Sequence, residues 1–379
     1  MKKDLFLSGD WGTSSLRIRL IDTATGMVIG EDTSGNGIRQ TFFSWEQARK
    51  GPADRDPAPG QTNDIRRGRG HKGELPDRVS FYSDILRGVL RNLEDKLGLS
   101  LQGVPLVLSG MASSSAGMLE LPYREIPFNP SRDDLITQWL PAGDDGGNPI
   151  LLISGLKSGD DVMRGEETQL IGCLPGTGWV GAEGARGRSE DIAVGQGIRV
   201  GAADREIAGA DGLYIFPGTH SKHILVKDGT IAAFTTYMTG EIFELLSEKS
   251  LLRGSVEKSP EPPDGRHWES FRQGVKAAAG ANFLQAAFRT RVNDLFGSLS
   301  RSANYYYLSG LLIGTELRSL PDSDAEDIYL CCGHALKEHY EKALETAAIC
   351  KRVHIFPAGW ADKSAISGQW AILSGIKPA

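Results

Sequence analysis

The 379-residue sequence predicts an α/β protein of two duplicated domains, each a mixed five-stranded sheet flanked by helices, with an interdomain cleft. Three observations predict it. A strand, a G-T-x-S turn, a second strand, a tight turn and a third strand open the chain around Gly12–Ser15, and the same unit returns around Gly218–Ser221. Helical and strand-like patterns alternate after each copy, which is the grammar of helices packed on a sheet. The length exceeds one ordinary core and suits two.

The first copy begins with Leu5–Ser8, a short apolar strand. Leu16–Ile21 alternates apolar and basic residues, which predicts a half-buried strand. Thr25-Gly26 marks a turn, and Met27–Ile29 starts the third strand. Ser80–Leu97 places Phe81, Ile85, Leu86, Val89, Leu90, Leu93 and Leu97 at helical spacing. Pro105–Ser109 and Ile150–Ser154 read as buried strands, and Glu166–Leu174 as a helix. In the second copy the strands are Leu213–Phe216, His223–Val226 and Ile231–Tyr237, with Asp228-Gly229 as the hairpin signal. Helices are expected over Gly240–Leu252, Phe271–Phe288, Ser309–Leu320, His334–Ala347 and Lys363–Ser374, with strands at Asp327–Cys332 and Val353–Phe356.

Two stretches interrupt this pattern. Residues 49–78 hold four prolines and eight basic residues against five acidic ones, with no interleaved aromatics. That composition predicts a solvated surface insertion before it predicts a nucleic-acid contact. Residues 175–210 are rich in Gly and Ala and read as an insertion or long connection. The expected organisation is an N-terminal domain over 1–175, a connection over 176–210 and a C-terminal domain over 211–379.

Hydrophobic residues make up 40% and charged residues 24% of the chain, a globular composition. The net charge of −6 gives no reason to expect nucleic acid or an anionic membrane as partner. Cys173, Cys331, Cys332 and Cys350 form no C-x-x-C pair, which argues against a zinc or redox site. Cys331 and Cys332 are expected on a buried strand. The apolar stretch Leu5-Phe6-Leu7 is too short for a signal sequence, and no apolar run is long enough to span a bilayer. A cytoplasmic protein is expected.

The chemistry concentrates at strand ends. In Asp10-Trp11-Gly12-Thr13-Ser14-Ser15, glycine allows close backbone approach and successive N–H groups form an anion nest. Gly12, Thr13 and Ser14 therefore suit a phosphate, and Asp10 suits Mg²⁺ held through its waters. An ordinary hairpin turn is the competing reading, and the second copy at Gly218 and Thr219 weighs against it. Arg17 reads as a phosphate or substrate contact or as a solvated strand residue. Lys222 reads as a phosphate contact or a surface lysine. Between Lys157 and Gln169 lie Asp160, Asp161, Glu166 and Glu167, with Arg164-Gly165 among them. Capping of a helix dipole, worth roughly 0.3–1 kcal/mol, explains one or two acids. A general base beside a guanidinium that grips an anionic substrate explains the set. Ser113 and Ser114, in the loop Ser109–Gly117, suit polyol recognition or a plain Gly/Ser loop. Gly240 and Glu241, after Thr239, and Gly333, before His334, mark helix starts open to nucleotide or to simple capping.

These segments together resemble the 2-dehydro-3-deoxygalactonokinase family, sugar-acid kinases of the actin, hexokinase and heat-shock ATPase (ribonuclease H-like) superfamily. The runs that carry the resemblance are DWGTSSLR (10–17), SGMASSSAG (109–117), LPY (121–123), VMRGEETQLIG (162–172), PGTHSK (217–222), MTGE (238–241) and LSGLLIG (308–314). The two insertions lengthen this chain beyond the usual member, and the superfamily's Gly-rich adenosine motif is reduced to Cys332-Gly333-His334. The resemblance implies transfer of the γ-phosphoryl of ATP, with Mg²⁺, to the terminal hydroxyl of 2-dehydro-3-deoxy-galactonate. It implies mainly sugar-acid binding in the N-terminal domain and nucleotide binding in the C-terminal one. It favours Glu166 as base, with Asp161 and Glu167 behind it, and Arg164 on the sugar-acid carboxylate. A homodimer is the candidate assembly. Another sugar acid or an amino sugar as substrate, or a non-catalytic nucleotide sensor, are the alternative readings.

Overall fold

A computed structural model of the chain describes residues 4–49, 77–142, 147–174, 192–194, 198–200, 211–280, 282–349, 351–357 and 359–375. The stretch 49–78 and the connection 175–210 lie outside the described residues, except for Arg49, Asp77, Arg78 and the short hairpin of Ile192–Val194 with Ile198–Val200. The chain divides into two compact units. Unit 1 comprises Met1–Arg124, Asp134–Leu156 and Gln369–Ile376; unit 2 comprises Glu125–Asp133, Lys157–Gly368 and Lys377–Ala379.

Unit 1 is built on a six-stranded sheet. Its order runs Val28–Ser34, Leu16–Asp22, Leu5–Trp11, Leu106–Gly110, Ile150–Ile153, Thr137–Leu140. The first three strands pair antiparallel, and Leu5–Trp11, Leu106–Gly110 and Ile150–Ile153 run parallel. The helix Arg78–Leu97 covers one face and buries Tyr82, Leu86, Val89, Leu90 and Leu93 against Leu16, Ile18, Leu20, Leu106 and Leu108. Each such side chain is worth roughly 1.5–3 kcal/mol of burial. Asp77 caps the start of this helix. Gly98, at φ 63, ends it in a left-handed conformation that suits glycine.

Unit 2 repeats the core of that order in a five-stranded sheet: Thr230–Tyr237, Ser221–Lys227, Gly212–Phe216, Asp327–Leu330, Arg352–Ile355. The first three are again antiparallel and the last three parallel. Helices Gly265–Gly280 and Arg301–Leu317 bury Phe271, Val275, Ile313 and Leu317 beside Ile215, Ile328 and Leu330. They pack backbone to backbone: a Cβ on Gly274 would stand 2.1 Å from the Tyr307 carbonyl, and one on Gly310 2.1 Å from that of Phe271. LSGLLIG is therefore a helix-crossing surface.

Four details depart from the sequence reading. The first sheet gains an antiparallel edge strand, Thr137–Leu140, mostly exposed and without apolar alternation. Leu16–Asp22 is almost wholly buried, because Arg19 turns inward and pairs with Glu31 at 3.1 Å. The helix expected over Phe271–Phe288 is two helices, Gly265–Gly280 and Phe283–Leu295, the second capped by the Asn282 side chain. The stretch 239–255 is a short α-helix followed by π and 3₁₀ turns. Among the described residues no helix is long and apolar enough to cross a membrane.

Candidate active site

Both G-T turns follow the carboxyl end of the first strand of their sheet, where parallel strands leave backbone groups open to ligands.

In unit 1, Asp10 is exposed at the end of Leu5–Trp11, opposite Arg17 on one side and Ser109 on the other. The turn after it closes through Gly12 N–H to Ser15 O at 2.9 Å. Residues 37–39 pack onto it: Ile38 N–H donates to Gly12 O, and Arg39 N–H to Thr13 O. Gly37 sits so close that a Cβ would meet Ser14 carbon at 2.3 Å. Thr13 is half-buried and Ser14 exposed. Gly110, at φ 80, lies against the Asp10 carboxylate, 3.2 Å from where its Cβ would stand. Ser113 donates its hydroxyl to Ile153 O at 2.5 Å and Ser114 donates to Met111 O at 2.8 Å, and both are buried. The exposed serine of that loop is Ser115. Sequence reasoning also missed Gln369. Its Nε2 donates to Gly9 O and to Ser109 Oγ at 2.9 and 2.8 Å, bracing the two strand ends that carry Asp10 and Gly110. No local pattern marks a partner 360 residues away.

In unit 2, the acidic segment and the second turn come together. Lys222 is buried, not on the surface, and its Nζ lies 3.9 Å from Glu166 Oε1. Helix Glu166–Cys173 starts at Gly165, whose φ of 118 excludes most side chains. Arg164, just before it, is buried. Glu167 is fully buried and accepts the Gly165 N–H on both oxygens at 2.8 Å and the Thr168 hydroxyl at 3.1 Å. Burial, then the charge of Glu166, pushes the Glu167 carboxyl up to about 7 against the pull of those donors. Asp161 is engaged elsewhere: its carboxylate accepts Thr236 N–H at 2.6 Å and Thr236 Oγ1–H at 2.8 Å. Of the three candidate bases, Glu166 alone is both beside Lys222 and partly exposed, at 24% of its side chain.

MTGE docks directly on the second turn. A Cβ on Gly240 would stand 2.6 Å from Gly218 O, and Glu241 N–H donates to Thr219 O at 3.0 Å. The Glu241 carboxylate meets His220 at 2.5 Å. Gly218 and Gly333 both face open space, and Gly333 precedes helix His334–Thr346. Cys331 and Cys332 are buried just past the end of strand Asp327–Leu330. Ser221 and Thr239 donate inward to a carboxylate that the sequence reading passed over, Glu316.

A family model described as 2-keto-3-deoxy-galactonokinase matches residues 10–372. The chain is 30% identical over 282 residues to the 2-dehydro-3-deoxygalactonokinase of Escherichia coli (strain K12), covering 72% of this chain and 77% of the relative. It is 27% identical to a Rhizobium meliloti (strain 1021) relative named for the same activity, over 97% and 96% of the two chains. A Sinorhizobium meliloti crystal structure assigned to that activity superposes with a TM-score of 0.66 at 22% identity, over 99% of this chain and 97% of that one. The α/β fold of two units is shared with that structure.

Proposed function

The chain belongs to the 2-keto-3-deoxy-galactonokinase family, and we propose that it transfers the γ-phosphoryl of ATP to the terminal hydroxyl of 2-dehydro-3-deoxy-D-galactonate. The product is the 6-phosphate, and the setting is galactonate catabolism. The observation that carries this reading is the Glu166–Lys222 pair, which joins VMRGEETQLIG to PGTHSK in unit 2.

Phosphoryl transfer needs positioning and charge stabilisation more than covalent chemistry. Glu166 takes the proton of the attacking hydroxyl. Lys222 lies within reach of both that carboxylate and a phosphate resting on the second turn. In unit 2, Arg164 grips the sugar-acid carboxylate; in unit 1, Arg17 is a candidate contact to phosphate or substrate. Glu167 and Asp161 hold the segment in shape, through Gly165 and Thr236. In unit 1, Gly12, Thr13 and Ser14 offer backbone to a phosphate; in unit 2, Gly218, Thr219, Gly240, Glu241 and Gly333 form the nucleotide-facing backbone. Ser113 and Ser114 shape the loop that presents Ser115. In this reading the domain over 1–175 serves mainly the sugar acid and that over 211–379 mainly the nucleotide, while Arg164 and Glu166, although within 1–175, fall in unit 2 with the second turn.

Asp10 fits Mg²⁺. Among the described residues no cluster of three or more His, Cys, Asp or Glu forms a metal cage. One exposed carboxylate beside a phosphate turn is the set that Mg²⁺ uses when waters and phosphate oxygens complete its shell. Mg²⁺ bound there neutralises charge on the phosphates.

A panel of sugar acids and amino sugars in an ADP-release assay tests the reading. Release with 2-dehydro-3-deoxy-D-galactonate above all others supports it. Preference for another sugar reassigns the substrate, and ATP binding without release on any sugar makes the chain a sensor. A homodimer and a cytoplasmic location belong to the same reading. The exposed Leu284, Phe288 and Leu295 on one helix support the former, and light scattering would report it.

A further inference from the structure

We propose that Glu316 is a positioning residue for nucleotide binding, a buried carboxylate that clamps the second phosphate turn, the MTGE segment and the helix after Gly333 into one block.

Glu316 is 2% exposed, near the end of helix Arg301–Leu317. A carboxylate there is costly to bury unless each oxygen is met by donors. Four side chains from three elements meet it. Oε1 accepts Ser221 Oγ–H at 2.7 Å and lies 3.0 Å from His223 Nε2. Oε2 accepts Tyr340 Oη–H at 2.8 Å and the Thr239 hydroxyl. Burial alone pushes the carboxyl up, but the bonds from His223, Thr239 and Ser221 outweigh it and hold it below the ordinary carboxylate range. Glu316 is therefore ionised, and its bonds are of the charge-assisted kind. The Tyr340 phenol is driven well above its ordinary range by burial and by that charge.

The donors are the point. Ser221 is the last residue of the second G-T-x-S turn, and Thr239 opens MTGE. Both hydroxyls donate to Glu316, and the short helix at Thr239 has no side-chain cap. Tyr340 sits on the helix that Gly333 opens. Glu316 thus touches no nucleotide-facing group itself, yet it fixes the three segments that do. Its own place is fixed from behind, where Gly310 and Gly314 seat its helix against Phe271 and Val275.

The inference rests on the reading of the second turn as a nucleotide cradle. The test is Glu316→Gln, which keeps size and shape. Titration of ATP by calorimetry and steady-state kinetics are run on the full chain, with thermal midpoints alongside. Loss of a charge-assisted hydrogen-bond set weakens ATP binding about ten- to a hundredfold. The KM for ATP rises to match, while the KM for the sugar acid stays within about twofold. Ser221→Ala and Tyr340→Phe, which remove one donor each, shift the same constant in the same direction by smaller factors. They carry the test if Glu316→Gln does not fold. Combined with Glu316→Gln, they add less than their separate effects. Unchanged ATP affinity in all three variants overturns the proposal. So does a fall in kcat alone that tracks the folded fraction with both KM values unmoved. A wild-type protein that binds ATP but phosphorylates nothing defeats the functional reading and leaves the ATP titration to decide this one.

Discussion

Glu167 gives the sharpest pH test of the site. Its carboxyl is completely buried, beside the charge of Glu166, and titrates at about 7 where an ordinary glutamate titrates at 4.5. A raised carboxyl value means that the folded chain keeps a proton which the unfolded chain has already released. Stability from that proton is full below about pH 4.5 and is lost as pH rises to about 7, the unfolded state binding fewer protons throughout. The displacement corresponds to roughly 3 kcal/mol. Above about pH 7 both states are ionised and the loss is complete.

Glu167→Gln isolates this contribution. The amide is neutral at every pH and keeps an oxygen for the Gly165 N–H, so other titrating groups cancel in the comparison. Urea-unfolding free energies of both proteins are measured from acid to mildly alkaline pH. Wild type minus variant should fall by roughly 3 kcal/mol across the window between 4.5 and about 7, then level off. A flat difference refutes the reasoning. A difference that rises with pH refutes it more strongly, because the Gly165 and Thr168 bonds would then have overcome burial and held the carboxylate ionised.

Three further outcomes are expected. Glu166→Gln lowers kcat by about 10²–10⁴-fold with the ATP dissociation constant nearly unchanged, read by ADP release and calorimetry; unchanged turnover places the base elsewhere. Gly37→Ala puts a Cβ 2.3 Å from Ser14 carbon and 2.4 Å from Thr13 O, so the first turn must shift; the overpacking costs about 1–3 kcal/mol and ATP affinity falls with it. Gly172→Ala puts a Cβ 1.8 Å from Ser364 O and wedges helix Glu166–Cys173 off helix Trp360–Ser374; the thermal midpoint drops by a few degrees and turnover falls with the displaced Glu166.

The parts of this molecule that were legible in the sequence are local. A glycine, two hydroxyl residues and a strand on either side write a turn within eight residues, and writing it twice reveals the duplicated sheets. The 3-2-1-4-5 core of both sheets follows from that repetition. What could not be read is set by partners far along the chain. Asp161 reads as a free acid in a loop until Thr236, 75 residues on, takes its carboxylate. Lys222 reads as either a phosphate contact or a strand-start surface lysine until the sheet buries it beside Glu166. The edge strand Thr137–Leu140 has exposed residues on both faces and so carries no period-2 signal. Ser113 and Ser114 have the right chemistry for a sugar, but the 3₁₀ turn at Met111–Ser113 aims their hydroxyls at carbonyls.

Four carboxylates of unit 2, Asp161, Glu166, Glu167 and Glu316, make the same argument from the other side. Sequence ranks them only by residue type and spacing; occupancy of their oxygens separates them by job. Asp161 is held by a strand, Glu167 by the turn that starts its own helix, and Glu316 by four donors from three elements. Each of these has its charge or proton committed to shape. A base needs the opposite: access to a hydroxyl from outside, with a cation near enough to keep it ionised but not locked to it. We propose Glu166 for that role, its side chain 24% exposed and its Oε1 3.9 Å from Lys222 Nζ. On that proposal, a shorter contact would hold the carboxylate more firmly and make it slower to take a proton.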